Sequence, residues 1–207
     1  MIAAAGQRTA APAVALERGD PGVLEAVVRP EVHLAIWNRP LPLALAWLPQ
    51  LDWSKIDDLD FTTTLEALEA DVAEGLAEAG YPAGARGDAL AGEMIDHARR
   101  FAAVQQIDAL AIRLEVIETD ACHKFHADHV TARLLTTLMG TGTQWIHGDA
   151  GPDTPIRQMR TGDVAIFKGR LATEALAILH RSPPIGDTGE TRLLLAIDPA
   201  PAPSLPE

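Results

Sequence analysis

From Leu110 onward the chain is written in short alternating segments cut by glycine and proline, and that pattern restricts it to sheet-on-sheet architectures. In "LAIRLEVIE", Leu110, Ile112, Leu114 and Val116 alternate with Ala111, Arg113 and Glu115, the period of a half-buried strand. "VTARLLTTLM" (Val130 to Met139) is rich in β-branched residues and runs into the turn signal Gly140-Thr141-Gly142. "GDVAIFKG" (Gly162 to Gly169) is a short strand framed by glycines, and "ALAILHR" and "TRLLLAID" follow on either side of Pro183-Pro184 and Gly186–Gly189. A succession of this kind predicts a sandwich or barrel.

The first half reads differently. "VHLAIWNR" (Val32 to Arg39) is a short buried strand by composition, and "LPLALAWLPQLDW", bounded by Pro42 and Pro49, predicts a short helix. Thr63 with Glu66 three residues on has the form of a capping box opening a helix to about Gly80. Asp88 is placed to cap a second helix, in which Leu90, Met94, Ala98, Phe101 and Ala102 recur at helical spacing. Trp37, Trp47 and Trp53 are expected as core anchors. The expectation is an α+β chain: a flexible arm over 1–22, one domain over 23–200, and a flexible tail over 201–207. Within the domain, 23–106 supply mostly helical support and 107–200 the β core.

Charge narrows the function classes. A net charge of −12 without clustered Lys and Arg argues against nucleic acid, which needs a phosphate-tracking basic surface. The acidic stretch from Asp52 to Glu78 is expected as a solvated face. No apolar run reaches membrane-spanning length, so no membrane partner is expected. The start lacks the form of a secretory signal. A single cysteine fits a reducing cytoplasm.

The chemistry concentrates in "ACHKFHADHVTARLLTTLMG" (121–140), which holds Cys122, His123, His126 and His129. If His126, Ala127 and Asp128 are extended on entering the strand at Val130, His126 and Asp128 point to one face. An imidazole and a carboxylate then converge, two members of a 2-His-1-carboxylate triad with open metal positions. His180, in phase with Ile178 near the end of a later strand, is the candidate for the third. Arg192 shares a face with Leu194 and Ala196, and its fork suits a carboxylate; Asp163 is the alternative partner for it.

These residues carry a resemblance. His126-Ala127-Asp128, then His180, then Gly189-Glu190-Thr191-Arg192 resembles the signature of Fe(II)/2-oxoglutarate oxygenases. Arg133 and Thr136 after the His-x-Asp are similar to the prolyl-hydroxylase branch. The block from "RLEVIETDACHKFHADHVTARLLTTLMG" through "GDVAIFKG" to "HRSPP" and "TRLLLAID" more closely resembles domain of unknown function family 1826, over most of the chain after about Val32. The oxygenase resemblance implies a double-stranded β-helix (jelly-roll or cupin-like) core. It implies Fe(II) at His126, Asp128 and His180, 2-oxoglutarate at Arg192, and a small-molecule or peptide substrate.

Rival readings use the same segment. Cys122, His123, His126 and His129 are all possible zinc ligands, which would make the chain a metal-handling protein. A cupin site would want a glutamate closer than Glu174. Cys122 as a nucleophile with a histidine base is the weaker alternative. Lys168 is either an anion contact or a solvated lysine at a strand end. Ser182 reads as part of a turn. His33, His97 and His147 are expected to be exposed or satisfied by backbone groups.

Overall fold

The computed structural model describes residues 14–148, 151, 153–173 and 177–201. In chain order the strands and helices are β1 (Val14–Arg18), β2 (Val32–Trp37), β3 (Leu59–Thr64), α1 (Leu68–Glu78), α2 (Ala85–Gln105), β4 (Ala109–Ile117), β5 (Ala132–Met139), β6 (Gln144–His147), β7 (Arg157–Gln158), β8 (Val164–Lys168), β9 (Ile178–Arg181) and β10 (Arg192–Pro199). A seven-stranded sheet has the order β1-β2-β8-β5-β10-β4-β3, and a three-stranded sheet has the order β7-β6-β9. Pairing is antiparallel except between β1 and β2.

The alternation read from the sequence decides what each face of the large sheet covers. Leu110, Ile112 and Leu114 of β4, Leu134 and Leu138 of β5, and Leu193, Leu195 and Ile197 of β10 join one core with Leu90, Met94, Ala98 and Phe101 of α2. The opposite phase, Leu34, Ile36, Leu135, Ala165, Phe167, Leu194 and Ala196, packs with Trp145 and Ile178 of the small sheet. The result is three layers, with helices on one side of the large sheet and the small sheet on the other. Arg192 falls in the phase of Leu194 and Ala196, and so points between the two sheets.

Several expectations shift. β2 is the strand expected within Val32 to Arg39, but the N-terminal half also contributes β1 and β3 to the large sheet, and Val14–Arg18, inside the expected arm, pairs with β2. The rest of that arm, 1–13, and the tail beyond Pro201 lie outside the described residues, as do Glu174 and the first two residues of "ALAILHR". The helix expected between Pro42 and Pro49 resolves into short 3-10 turns at Leu43–Leu45, Leu48–Gln50 and Trp53–Lys55. Proline at the start of one of these turns and just before another removes the donor a continuous helix needs. Thr63 belongs to β3, and its hydroxyl donates to Asp71 at 2.5 Å. α1 instead has Ala67 at its N-cap and no side-chain cap; the Ala67 N–H donates to Thr64 Oγ1 at 3.3 Å in the turn that leads into it. α2 begins at Ala85, which puts Asp88 in its first turn, where a carboxylate complements the helix dipole. Trp47 is buried, whereas Trp37 and Trp53 pack half-buried against the core.

The acidic stretch is a solvated face. Asp57, Asp58, Asp60, Glu74 and Glu78 are exposed along an open groove of about 480 Å³ between β3 and α1. Among the described residues no helix is long and apolar enough to cross a membrane.

Candidate metal centre

The segment between β4 and β5 meets the end of β9 in one antiparallel bridge. The His126 N–H donates to the His180 carbonyl and the His180 N–H to the His126 carbonyl, each at 2.9 Å. This main-chain pairing sets the two imidazoles side by side, ring centroids 4.7 Å apart. His126 is therefore strand-like through β9, not through β5, which starts only at Ala132. Between them the chain turns, because the β8–β9 connection takes up its carbonyls. Gly169 N–H donates to Thr131 O, Arg170 N–H to Asp128 O and Leu171 N–H to Val130 O, at 3.0, 2.8 and 3.1 Å. Arg170 Nε adds a bond to Ala127 O at 2.9 Å.

One donor atom each from His126, Asp128 and His180 lies within 4.8 Å of the others. His180 Nε2 is 3.1 Å from Asp128 Oδ2, and His126 Nε2 is 3.6 Å from Oδ1. His126 Nδ1 lies 2.9 Å from the Lys124 carbonyl; as donor there, it leaves Nε2 as the unprotonated nitrogen facing the carboxylate. His180 is buried against Phe167, ring centroids 4.6 Å apart. The telling atom is Asp128 Oδ2, which is buried without a hydrogen-bond partner. His180 Nε2 is near it, yet lacks the alignment a hydrogen bond requires. An orphaned carboxylate oxygen beside two imidazole nitrogens is costly unless a cation completes it. The donor set thus fits a divalent transition metal.

Electrostatics separate the three groups. Burial raises the Asp128 carboxyl, but the close approach of His126 and His180 and the Arg133 charge outweigh it and hold the group well below the usual carboxylate range. Contact with Asp128 raises His126, and burial lowers His180. In the metal-free protein, imidazole resonances followed by NMR are expected to titrate above the ordinary 6.5 for His126 and below it for His180. The linked stabilities have opposite signs. The His126 contribution is present below its ordinary value and is lost as pH rises through the raised one. The His180 contribution is present above its ordinary value and is lost as pH falls through the lowered one. Identical titrations of the two rings would contradict this asymmetry.

A cavity of about 160 Å³ opens beside the triad, with Leu135, Leu194, Ala196 and Ile117 as apolar surface and Arg113, Glu115, Thr143 and Ser182 among its polar groups. Arg192 sits behind this wall, fully buried. Its guanidinium donates to Thr141 O at 2.5 Å, Ser182 Oγ at 2.9 Å and Thr137 Oγ1 at 3.5 Å. Every acceptor is neutral. Asp163, the alternative partner, instead accepts from the Arg39 and Arg160 main-chain N–H groups and pairs with the Arg160 side chain. Burial pushes the Arg192 guanidinium down.

The other candidates lie apart. Cys122 is exposed at the cavity rim and its carbonyl accepts from the Ser182 N–H at 3.0 Å. His123 is exposed, its Nδ1 2.5 Å from Asp120 O, and His129 is exposed. None of these three joins the grouping that His126, Asp128 and His180 form among the described residues. Lys168 donates to the carbonyls of Arg29 and Pro30, at the β2 end of the sheet. Arg133 contacts Asp128 directly, at 2.5 Å. His97 corrects its expectation: it is buried and bonds to the Glu93 carboxylate at 2.8 Å, not to backbone.

Sequence reasoning missed four supports: Asp120, Gly169, Ser182 and Asp198. Asp120 accepts from the Ile185 and Gly186 N–H groups at 2.6 and 2.8 Å, tying the loop before His126 to the loop after His180. Gly169 permits a close approach, since a Cβ there would stand 2.1 Å from Val130 O and 2.9 Å from Asp128 O. Gly169→Ala is expected to displace the 128–130 backbone and to destabilise the protein by about 1–3 kcal/mol. Chemical denaturation measures this, and unchanged stability would show that the turn relaxes freely. Of the four, Asp198 alone carried a legible signal, its phase with Arg192, Leu194 and Ala196.

The family model described as "Protein of unknown function (DUF1826)" matches residues 18–198. The chain belongs to the DUF1826 family. No curated protein matches it in sequence. Among solved structures, this DUF1826 chain is similar to the rice dioxygenase for auxin oxidation, with a TM-score of 0.52 and 14% identity over 90% of this chain and 82% of that one. It is also similar to dioxygenase for auxin oxidation 1 from Arabidopsis thaliana in complex with 2-oxoglutarate, TM-score 0.50 and 11% identity over 93% and 94%. A Pseudomonas putida prolyl-4-hydroxylase aligns with a TM-score of 0.48 and 12% identity over 86% and 96%. At such identities the two dioxygenases establish likeness of fold: mixed α+β around a large sheet.

Proposed function

We propose that this DUF1826 chain is a mononuclear Fe(II)- and 2-oxoglutarate-dependent oxygenase on a double-stranded β-helix, acting on a small-molecule or peptide substrate. The observation that carries the reading is the buried, unpartnered Asp128 Oδ2 facing His126 and His180 beside a cavity. His126 and His180 would each give one nitrogen and Asp128 one oxygen, leaving the remaining positions open towards the cavity. A bound ferrous ion with 2-oxoglutarate supplies oxidative decarboxylation coupled to hydrogen abstraction from a substrate.

The chain's own residues bind and orient. The Lys124 carbonyl fixes the His126 tautomer, and Phe167 holds the plane of His180. Arg192 is a guanidinium fork hydrogen-bonded to no carboxylate, which suits the distal carboxylate of 2-oxoglutarate, with Ser182 placed between it and the cavity. The apolar surface of Leu135, Leu194 and Ala196 limits water beside the donors. A structural neighbour whose complex contains 2-oxoglutarate supports the choice of co-substrate.

Anaerobic titration of the full chain with Fe(II) and 2-oxoglutarate tests the reading. A weak visible metal-to-ligand charge-transfer band is expected. Its absence, with zinc tightly retained, would replace the oxygenase with a metal-handling protein.

A further inference from the structure

Asp128 is not oriented by its own loop. Arg133, on β5, donates Nη1 to Asp128 Oδ1 at 2.5 Å. The same guanidinium is fixed from behind by Asp198, with Nε to Oδ1 at 2.7 Å and Nη2 to Oδ2 at 2.6 Å. Ile197 pairs with Leu134 across β10 and β5, so Arg133 and Asp198 are neighbours on one face of adjacent strands. The fork is set by sheet register, and all three side chains are largely buried, with 17%, 9% and 10% exposure for Arg133, Asp198 and Asp128. On the far side of Asp198, Arg113 of β4 approaches its Oδ2 at 3.5 Å. One oxygen of Asp128 is thereby engaged, while the other is the orphan.

We propose that Arg133, anchored by Asp198, is a positioning residue that makes Asp128 a one-oxygen ligand. The proposal rests on the preceding reading that His126, Asp128 and His180 hold a divalent ion. A carboxylate beside a cation can bind through one oxygen or both. A charge-assisted bond from Arg133 to Oδ1 withdraws that oxygen, so Oδ2 alone meets the ion. Chelation through both would occupy a position that an open facial site keeps for exchangeable ligands. The brace also orients a loop-borne carboxylate before the ion arrives, as outer-shell partners of metal ligands do. An ion pair that only stabilised the fold would change unfolding energy without changing the ion's coordination.

The test uses the full chain and Mn(II) alone, with affinity and the number of coordinated waters read by electron paramagnetic resonance in isotopically labelled water. Arg133→Met is compared with Arg133→Met/Asp198→Leu, which removes both charges so that neither remains buried and unpaired. Both variants are expected to bind Mn(II) roughly 10- to 100-fold more weakly and to carry one coordinated water fewer than wild type. Arg133→Lys, which keeps the charge without the fork, should recover part of the affinity. Unchanged affinity in folded variants overturns the proposal. So does weaker binding with an unchanged water number, which would leave Arg133 an ordinary ion pair. Wild-type protein that binds no Mn(II) overturns the metal reading and this inference together, whereas normal wild-type binding matched by the variants overturns this inference alone.

Discussion

His126→Ala is expected to abolish specific divalent-metal binding while leaving the fold intact. The variant is informative because the bridge between residues 126 and 180 is made by main-chain groups, which alanine keeps, and the His126 side chain is 35% exposed, so little core is lost. At a metal concentration about 100 times the dissociation constant, binding stabilises the wild type by about 2.7 kcal/mol. For a chain of this size that corresponds to a rise in Tm of roughly 5–10 °C. The variant should show no rise with Mn(II), and it should emerge from purification without the metal carried by wild type. His180→Ala removes a ligand too, but its ring is buried against Phe167, so its metal and packing effects are mixed. A His126→Ala protein that kept its metal and its thermal shift would end the assignment of the triad.

What the sequence disclosed and what it hid divide along physical lines. Periodicity exposed β4, because Leu110, Ile112 and Leu114 enter the core while Ala111, Arg113 and Glu115 stay half-buried; β10, buried on both faces, was legible as an apolar run after the Gly186–Gly189 turn. Periodicity likewise exposed α2 through Leu90, Met94, Ala98 and Phe101. The spacing of His126 and Asp128 pointed correctly to convergence, although for an incomplete reason. Their approach comes from pairing with β9 and from the Gly169–Leu171 turn, contacts between residues distant in the chain. Caps and short turns depend on a single residue's backbone angles, so the Thr63 cap gave way to an N-cap at Ala67 without a side-chain bond and the expected helix after Pro42 became 3-10 turns. Ser182 read as a turn residue because its meaning lies in touching Arg192, ten positions later. In residues 14–64 β2 was legible by composition, whereas β1 and β3 were not, Thr63 of β3 having the look of a helix cap; only the sheet that receives β1 and β3 makes sense of them.

Arg192 offers the sharpest separation of function from stability. Its guanidinium is 0% exposed and its hydrogen bonds go to neutral acceptors, so in the ligand-free protein it is a buried charge that the Glu190 carboxylate offsets only through space. An apolar replacement ends the desolvation cost of the charge but takes a donor from the Thr141, Ser182 and Thr137 oxygens. Arg192→Met is therefore expected to lower ligand-free stability by no more than about 1–3 kcal/mol, as read by chemical denaturation. Mn(II) affinity should stay the same, because Arg192 touches none of the three donors. Binding of 2-oxoglutarate to the metal-loaded protein should instead fall. Losing a charge-assisted contact worth about 1.5–3 kcal/mol corresponds to a factor of roughly 10 to 150, measurable by calorimetry. Arg192→Lys should fall between the two, since a point charge replaces a two-pronged donor. The opposite pattern, a loss of several kcal/mol in stability with co-substrate affinity intact, would make Arg192 a structural cation that braces Thr141 and Ser182. A folded, stable variant deaf to 2-oxoglutarate but not to metal would instead identify the group that reads the co-substrate.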